Sequence, residues 1–483
     1  MIEAWLGTIN GYLWGSILIY LLTACGLWFT WRLKGIQFRH FFHMFTLLGA
    51  SRKGRNPDDK MNGQGADNLP SPQGISSFQA LCTTLAARVG TGNLMGVAVA
   101  ISLGGAGAVF WMWLIALLGM ATAFAESSLG QLYKEKDGNN AFRGGPAYYM
   151  RKGLKSPALA VTFSLCLFFG YGFVFSSVQA NSITNAFYGS FGVPPITTGI
   201  IITICAALVI LGGLKNIARF AELIVPFMGI AYLLVSLAVV LINLPAIPGI
   251  ITDIFTSALG LKEAGGGLVG AAIVQGVKRG LYSNEAGMGS SPNAAAAAIP
   301  YPPHPVSQGY IQMLAVFFDT LVICSCTAFV ILLAPAQGEN IQGILLTQQA
   351  FASQVGSWGS DFITLAILLF GFTSIVANFA YADNNLKYLK LDHAAGHWFL
   401  RIGFLGMLVF GSAASLPQVI ALADLATGLM TVVNVVALFL LSKVVLAITQ
   451  DYHGQLKQKK VPCYRASEEQ QHSFNLTKKI WSD

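Results

Sequence analysis

The sequence predicts an all-α polytopic membrane protein of about eleven transmembrane helices. Three observations point there. Of 483 residues, 54% are hydrophobic and 10% charged, where a soluble domain carries about 25% charged residues. The hydrophobic residues come in blocks, many of them about 20 residues long, the length that crosses a hydrocarbon core of about 30 Å. The blocks are too long and too uniformly apolar for barrel strands, which run about 10 residues and alternate apolar with polar.

The expected spans are 12–31, 76–101, 107–132, 158–187, 197–213, 220–243, 265–298, 308–335, 360–383, 398–415 and 420–449. The first apolar block is followed, not preceded, by bases (Arg32, Lys34, Arg39), the reverse of a cleavable signal peptide, so it reads as a retained span. With the N-terminus outside, segments 32–75, 133–157, 214–219, 299–307, 384–397 and the C-terminal tail fall inside and hold nearly all the bases between spans. The outside segments hold Lys262 alone. This partition follows the positive-inside rule and predicts a multi-pass protein of the plasma (bacterial inner) membrane with a cytoplasmic C-terminus. It also explains the net charge of +8 without a nucleic-acid partner. Residues 33–49 mix bases with Phe38, Phe41, Phe42 and Phe45, as in a surface amphipathic helix. Residues 51–74 read as a flexible linker, and the polar tail after Thr449 as dispensable. The seven cysteines are scattered without a CxxC pair, so packing is expected of them, not a metal site or disulfide framework.

After the first span, ten remain. Split five and five, each half crosses an odd number of times, so the halves are inverted, as in many secondary transporters. The expected units are 1–75 (first helix, amphipathic segment, linker), 76–243, 244–449 and the tail 450–483. In such repeats the site lies at Gly-interrupted spans in corresponding positions. The first span of one half contains AARVGTGNLMG (86–96). Its counterpart contains RGLYSNEAGMG (279–289). Polar groups cluster with glycine in both, which close helix packing alone does not require. Gly90-x-Gly92 is no dinucleotide fingerprint, since Met95 holds the third glycine position and no strand precedes it.

A broken helix has two new ends. Free N–H groups at the second half suit a carboxylate, and unwound carbonyls suit a cation. Thr373-Ser374, beside Gly371 in an apolar stretch, is a candidate for sodium, which takes oxygen ligands. Taken alone, that pair reads better as hydroxyls bonded to their own i−4 carbonyls.

The run SFQALCTTLAARVGTGNLMGVAVAISLGGAGAVFWMW (77–113) resembles the signature of the alanine/glycine:cation symporter family, the sodium:alanine symporters. So do FAESSLGQLYKEKDGNNAFRGGPAYYM (124–150), VQANSI (178–183), RGLYSNEAGMGSSPNAAAAA (279–298) and SIVANFAYADNN (374–385). The resemblance covers about residues 8–450. Its one departure noted is Ala106, where GGPGA is common. It implies a LeuT-type 5+5 inverted repeat preceded by one extra helix. It implies that Gly90, Thr91, Gly92 and Asn93 are the unwound segment holding the substrate carboxylate. The Ala86, Val89 and Phe370 carbonyls and the Thr373 and Ser374 hydroxyls are implied as sodium ligands, which favours the ion reading of the hydroxyl pair. Gln179 and Asn181 are implied as substrate contacts, with Ser283 and Asn284 completing the pocket.

The expectation is a secondary active transporter, not an enzyme, moving a small neutral amino acid (alanine or glycine) with sodium by alternating access. It needs no cofactor beyond the cotransported ion and works as a monomer. The alternatives are proton coupling, a broader specificity that includes glutamine or serine, and, more remotely, a channel or an intramembrane enzyme using Asp319 and Glu126. For Arg88, Glu126, Glu285, Asp319 and Asp424, silent pairing and gating stay open.

Overall fold

The computed structural model describes residues 2–53, 74–137, 141–211, 214–261, 266–335, 343–477 and 480–481. The linker expected at 51–74 and the outside base Lys262 lie almost wholly beyond these residues.

Helices α1 (Trp5–Arg32) and α2 (Phe41–Lys53) precede a bent pair, α3 (Ser77–Arg88) and α4 (Gly92–Gly104). The chain continues through α5 (Gly107–Leu132), α6 (Pro157–Phe191), α7 (Pro195–Ile210), α8 (Leu214–Ile242) and α9 (Ile247–Ala258). Next come α10 (Gly266–Asn284), α11 (Ser291–Ala297), α12 (Pro305–Leu333) and α13 (Ile344–Val355). The last are α14 (Trp358–Tyr388), α15 (Ala394–Ala413), α16 (Leu416–Leu440) and α17 (Ser442–Lys457).

Among the described residues, eight helices are long and apolar enough to cross a membrane, or nine if the bent pair is one span. Two of the eleven expected spans are not among them. α7 has 16 residues, short of the usual crossing length. The block 265–298 divides into α10 and α11, and α10 carries Lys278 and Arg279, which lower its hydropathy. The last expected span also ends early. The chain turns at Leu441, and Ser442 onward is the separate helix α17.

α5 is the central helix, packed against α1, α10, α11 and α12. Small residues permit the close crossing: a Cβ at Gly276 would meet the carbonyl oxygen of Ala108 at 2.5 Å. Two expected loops contain helices. α13 lies over the bent pair, where Thr347 donates to the carbonyl of Leu94 (3.1 Å). β1 (Ile75–Ser76) pairs in parallel with β2 (Ala298–Ile299), so the strand before α3 is tied to the strand after α11. The tail packs back on the bundle. The Tyr464 N–H donates to Pro303 O, and the buried Trp481 indole donates to Leu132 O at the end of α5 (both 3.0 Å). A tail that fills such positions is built into the fold.

Candidate substrate and ion site

The first break is short. Val89 leaves helical geometry (ψ 88°), and α4 resumes at 51° to α3, wound as a π-helix over Gly92–Gly96. The second break is longer and lies just past the expected pair, because α10 runs through Ser283 and Asn284. It spans 285–290, with Glu285 (φ 54°), Gly287 (φ 88°) and Gly289 (φ 85°) in the left-handed region. Glycine adopts that region freely, whereas Glu285 does so at a cost of about 1–2 kcal/mol.

The two breaks meet. A Cβ at Gly92 would lie 3.1 Å from the Cα of Ser283. The Gly90 N–H donates to Asn93 Oδ1 (3.0 Å) and the Thr91 N–H to Gln179 Oε1 (3.1 Å). Asn93 Nδ2 donates to Asp319 Oδ1 (2.8 Å) and Ser283 Oγ to Asp319 Oδ2 (2.6 Å). Asp319 lies in the π-wound stretch Phe317–Cys324 of α12, so one carboxylate bridges the start of α4 and the last turn of α10, next to the second break. Cys324 takes part as well, with its Sγ 3.3 Å from Asn93 Nδ2 and 3.1 Å from Ser283 Oγ. It has a polar role where only packing was expected.

Beside the junction lies a cavity of about 10 Å³, lined by Ala87, Arg88, Gly92, Phe175, Gln179, Tyr282, Glu285, Met288 and Asn378. That is room for about one water. Arg88 Nε and Asn378 Nδ2 are buried without a hydrogen-bond partner among the described residues. Such groups are rare and call for a ligand or a solvent partner.

Of the expected substrate residues, Gly90, Thr91, Gly92, Asn93, Gln179 and Ser283 come together here. Asn181 is turned away, donating to Gly411 O (2.9 Å) and Ala414 O (2.8 Å). Its position on α6 falls on the face packed against α15, a rotation that only packing decides. Asn284 caps the second break by accepting from the Ala286 N–H (3.0 Å). Phe175, Tyr282 and Asn378 line the cavity without having been singled out in the sequence. Asn378 and Tyr282 lie within the family-like stretches quoted above, and Phe175 gives no signal at all.

The ion candidates also converge. Ser374 Oγ donates to Ala86 O (2.8 Å) and to Phe370 O (2.9 Å), and Thr373 Oγ1 donates to Phe370 O (2.9 Å). Ser374 therefore makes the i−4 bond of the bland reading and also reaches across to α3, whereas Thr373 bonds the i−3 carbonyl. A Cβ at Gly90 would sit 2.5 Å from Ser374 Oγ, so that contact requires glycine. Val89 is the residue at which α3 ends.

The remaining buried charges find partners. Asp424 accepts from Arg279 (2.7 Å) and Lys278 (3.3 Å), which explains two bases inside a span. Glu126 accepts from the Gly289 N–H (3.2 Å) and Asn434 Nδ2 (3.0 Å). Glu285 accepts from Ser290 Oγ (2.6 Å). Arg88 donates to Ser291 Oγ and to Gln312 O (3.3 Å), with no carboxylate in ion-pair contact among the described residues.

Two broken helices that meet at a small cavity lined by buried polar groups within an apolar bundle define a secondary transporter. The fold is similar to that of MhsT in complex with L-phenylalanine (TM-score 0.54, 14% identity, 85% of this chain and 95% of that one), and is of the LeuT type. The sequence profile described as the sodium:alanine symporter family matches residues 1–466, and the chain belongs to that family. It is 45% identical to the probable sodium/glutamine symporter GlnT of Bacillus subtilis, over 96% of this chain and 93% of that one. It is 36% identical to the sodium/alanine symporter AgcS of Methanococcus maripaludis, over 92% and 96%. The chain is thus a multi-pass membrane transporter of the sodium-coupled amino-acid symport class, not an enzyme.

Proposed function

We propose that this chain carries a small neutral amino acid, alanine or glycine, across the plasma membrane together with sodium by alternating access. In this reading it is a monomer, with the N-terminus outside and the C-terminus cytoplasmic. Residues 76–243 and 244–449 are its two inverted halves. The observation that carries the proposal is the way the first break is satisfied. The N–H groups of Gly90 and Thr91 are held by two side-chain amide oxygens, those of Asn93 and Gln179. A substrate carboxylate is a stronger acceptor than an amide, and the N-terminus of α4 favours negative charge. Small rotations of Asn93 and Gln179 exchange one acceptor set for the other. The substrate's side chain then meets Phe175 and Tyr282.

Sodium is placed among the Ala86, Val89 and Phe370 carbonyls and the Thr373 and Ser374 hydroxyls, a neutral all-oxygen set that suits a hard cation. An ion on the carbonyl side of the break and a carboxylate on its N–H side stabilise each other, which couples their binding.

Uptake of labelled alanine, glycine and glutamine into proteoliposomes, with sodium replaced by choline at fixed pH, tests this reading. Saturable uptake that needs sodium is expected, with alanine or glycine preferred. Undiminished uptake in choline would transfer the coupling to protons, and a flux linear in substrate would point to a channel. Preference for glutamine would correct the substrate alone.

A further inference from the structure

A second recess lies away from the cavity, on the face that carries most of the chain's bases. It has a volume of about 340 Å³ and opens between the end of α1 and helix α17, within the range of small-molecule sites. Arg32, Lys34, Arg39 and His40 line one wall, and His453 and Lys457 the other. Among the described residues no acidic side chain lines it. Among the described residues none of these four bases makes an ion pair with a carboxylate. The one acid of α17, Asp451, is engaged by His304 (3.1 Å) and Gln455 (2.8 Å). Four bases gathered without a counter-charge repel one another, and an anion in the recess removes that repulsion.

The floor is rigid. His453 stacks on His40 (ring centres 4.5 Å apart, 17° between planes), and its Nε2 is 2.7 Å from the Tyr310 hydroxyl of α12. Burial, reinforced by the positive surroundings of His40, His43, Arg39 and Lys457, pushes His453 down to about 4. Just outside the recess Trp31, Phe38 and Phe42 are 70%, 62% and 82% exposed. Such exposure suits aromatic rings set at the boundary of a bilayer. Arg32 ends a membrane-spanning helix, which puts the recess at headgroup depth with apolar surface on the lipid side.

We infer that this recess binds the phosphate of an anionic phospholipid headgroup, held by Arg32, Lys34, Arg39 and Lys457, with the acyl chains lying against Trp31, Phe38 and Phe42. Basic pockets at the ends of transmembrane helices recognise such headgroups by charge. The site is independent of the amino-acid cavity and does not rest on the proposed substrate.

The test uses the purified, delipidated full-length protein with short-chain phosphatidylglycerol, phosphatidylcholine and inorganic phosphate as probes, read by native mass spectrometry. Phosphatidylglycerol is expected to bind in preference to phosphatidylcholine, and more weakly as salt rises. A base near the surface is worth about fivefold in binding, so Arg39→Gln with Lys457→Gln is expected to weaken it by about 25-fold. Bound phosphatidylglycerol is also expected to raise the titration of the His453 ring, followed by NMR. Equal binding of the two lipids, salt-insensitive binding, or an unshifted His453 would overturn the inference. The last two readouts need no variant and hold even if the double substitution fails to fold. Displacement of phosphatidylglycerol by equimolar inorganic phosphate would also overturn it, by making the recess a site for a soluble anion.

Discussion

The two helix breaks look alike in sequence and differ in what satisfies their backbone. At the first, two side-chain amide oxygens hold the exposed N–H groups, that of Asn93 from within α4 and that of Gln179 from α6. At the second, the backbone is locked. Three alternating left-handed positions, Glu285, Gly287 and Gly289, turn the chain, the Gly289 N–H is held by Glu126, and the Gly287 carbonyl accepts from Asn434 (3.0 Å). Exchangeable partners suit a segment that must trade one ligand for another. Fixed partners suit a joint that must keep its shape while its neighbour moves. The glycines follow the same division: Gly90 and Gly92 are small so that other groups approach, whereas Gly287 and Gly289 are glycine because of their backbone angles.

The sharpest way to break this contrast is a pair of substitutions. Gly92→Leu is expected to leave a folded, monodisperse protein with no measurable uptake, because its side chain would enter the space between Ser283 and Tyr282. Gly289→Val is expected to lose the folded protein itself. Its left-handed backbone disfavours a β-branched residue by about 1–3 kcal/mol, and a Cβ there would meet Phe163 at 2.7 Å. Normal transport by the first variant, or normal thermal stability of the second, would erase the distinction.

Ser283→Ala is a milder cut at the bridge. It removes one of the bonds to Asp319, and a hydrogen bond to a charged group is worth about 1.5–3 kcal/mol. Uptake efficiency is expected to fall by about tenfold or more while purified yield is kept. Unaltered uptake would show that the bridge does not couple the breaks.

Thr373→Ala with Ser374→Ala sharpens the ion side. The half-saturating sodium concentration is expected to rise about tenfold, equivalent to about 1.4 kcal/mol, with maximal uptake largely retained. An unchanged sodium dependence would remove both hydroxyls from the ion site. The smallest effect is expected from Glu126→Gln, which keeps an acceptor for the Gly289 N–H. A stability change below about 1 kcal/mol is expected, with uptake intact. Loss of uptake in a stable Glu126→Gln protein would mark Glu126 as a working group of the transport cycle instead of a strut.

Two basic sites, one buried and one exposed, extend the contrast. Lys278 and Arg279 were anomalous inside a span until Asp424, 145 residues from Arg279, supplied their counter-charge. Among the described residues the bases of the second recess have no such carboxylate, and that difference separates a structural ion pair from a binding surface.

Much of the fold was legible because a bilayer constrains sequence locally. A crossing needs a long apolar block, and the bases between blocks sort by side. The breaks were legible for the same reason, since Gly90-Thr91-Gly92-Asn93 and Ser283-Asn284-Glu285 are costly within a span unless they face polar company. The boundaries were less so. α7 is too short to stand out, and α10 is too polar. Helix α17 follows α16 after a single turning residue, which hydropathy does not register.

What the sequence determined by itself was the class of molecule, the two segments that hold the breaks and the residue types able to bind a carboxylate and a cation. Each of these depends on neighbours along the chain and on the solvent around it. Only the tertiary structure decided which polar groups meet. Asn93 and Asp319 are 226 residues apart, Asn181 faces α15 and not the cavity, and Asn378 joins the lining while Asn284 caps the break. Those outcomes depend on the rotation and crossing of packed helices, and a one-residue turn of a helix swings a side chain by about 100°. No local pattern of residues records that angle.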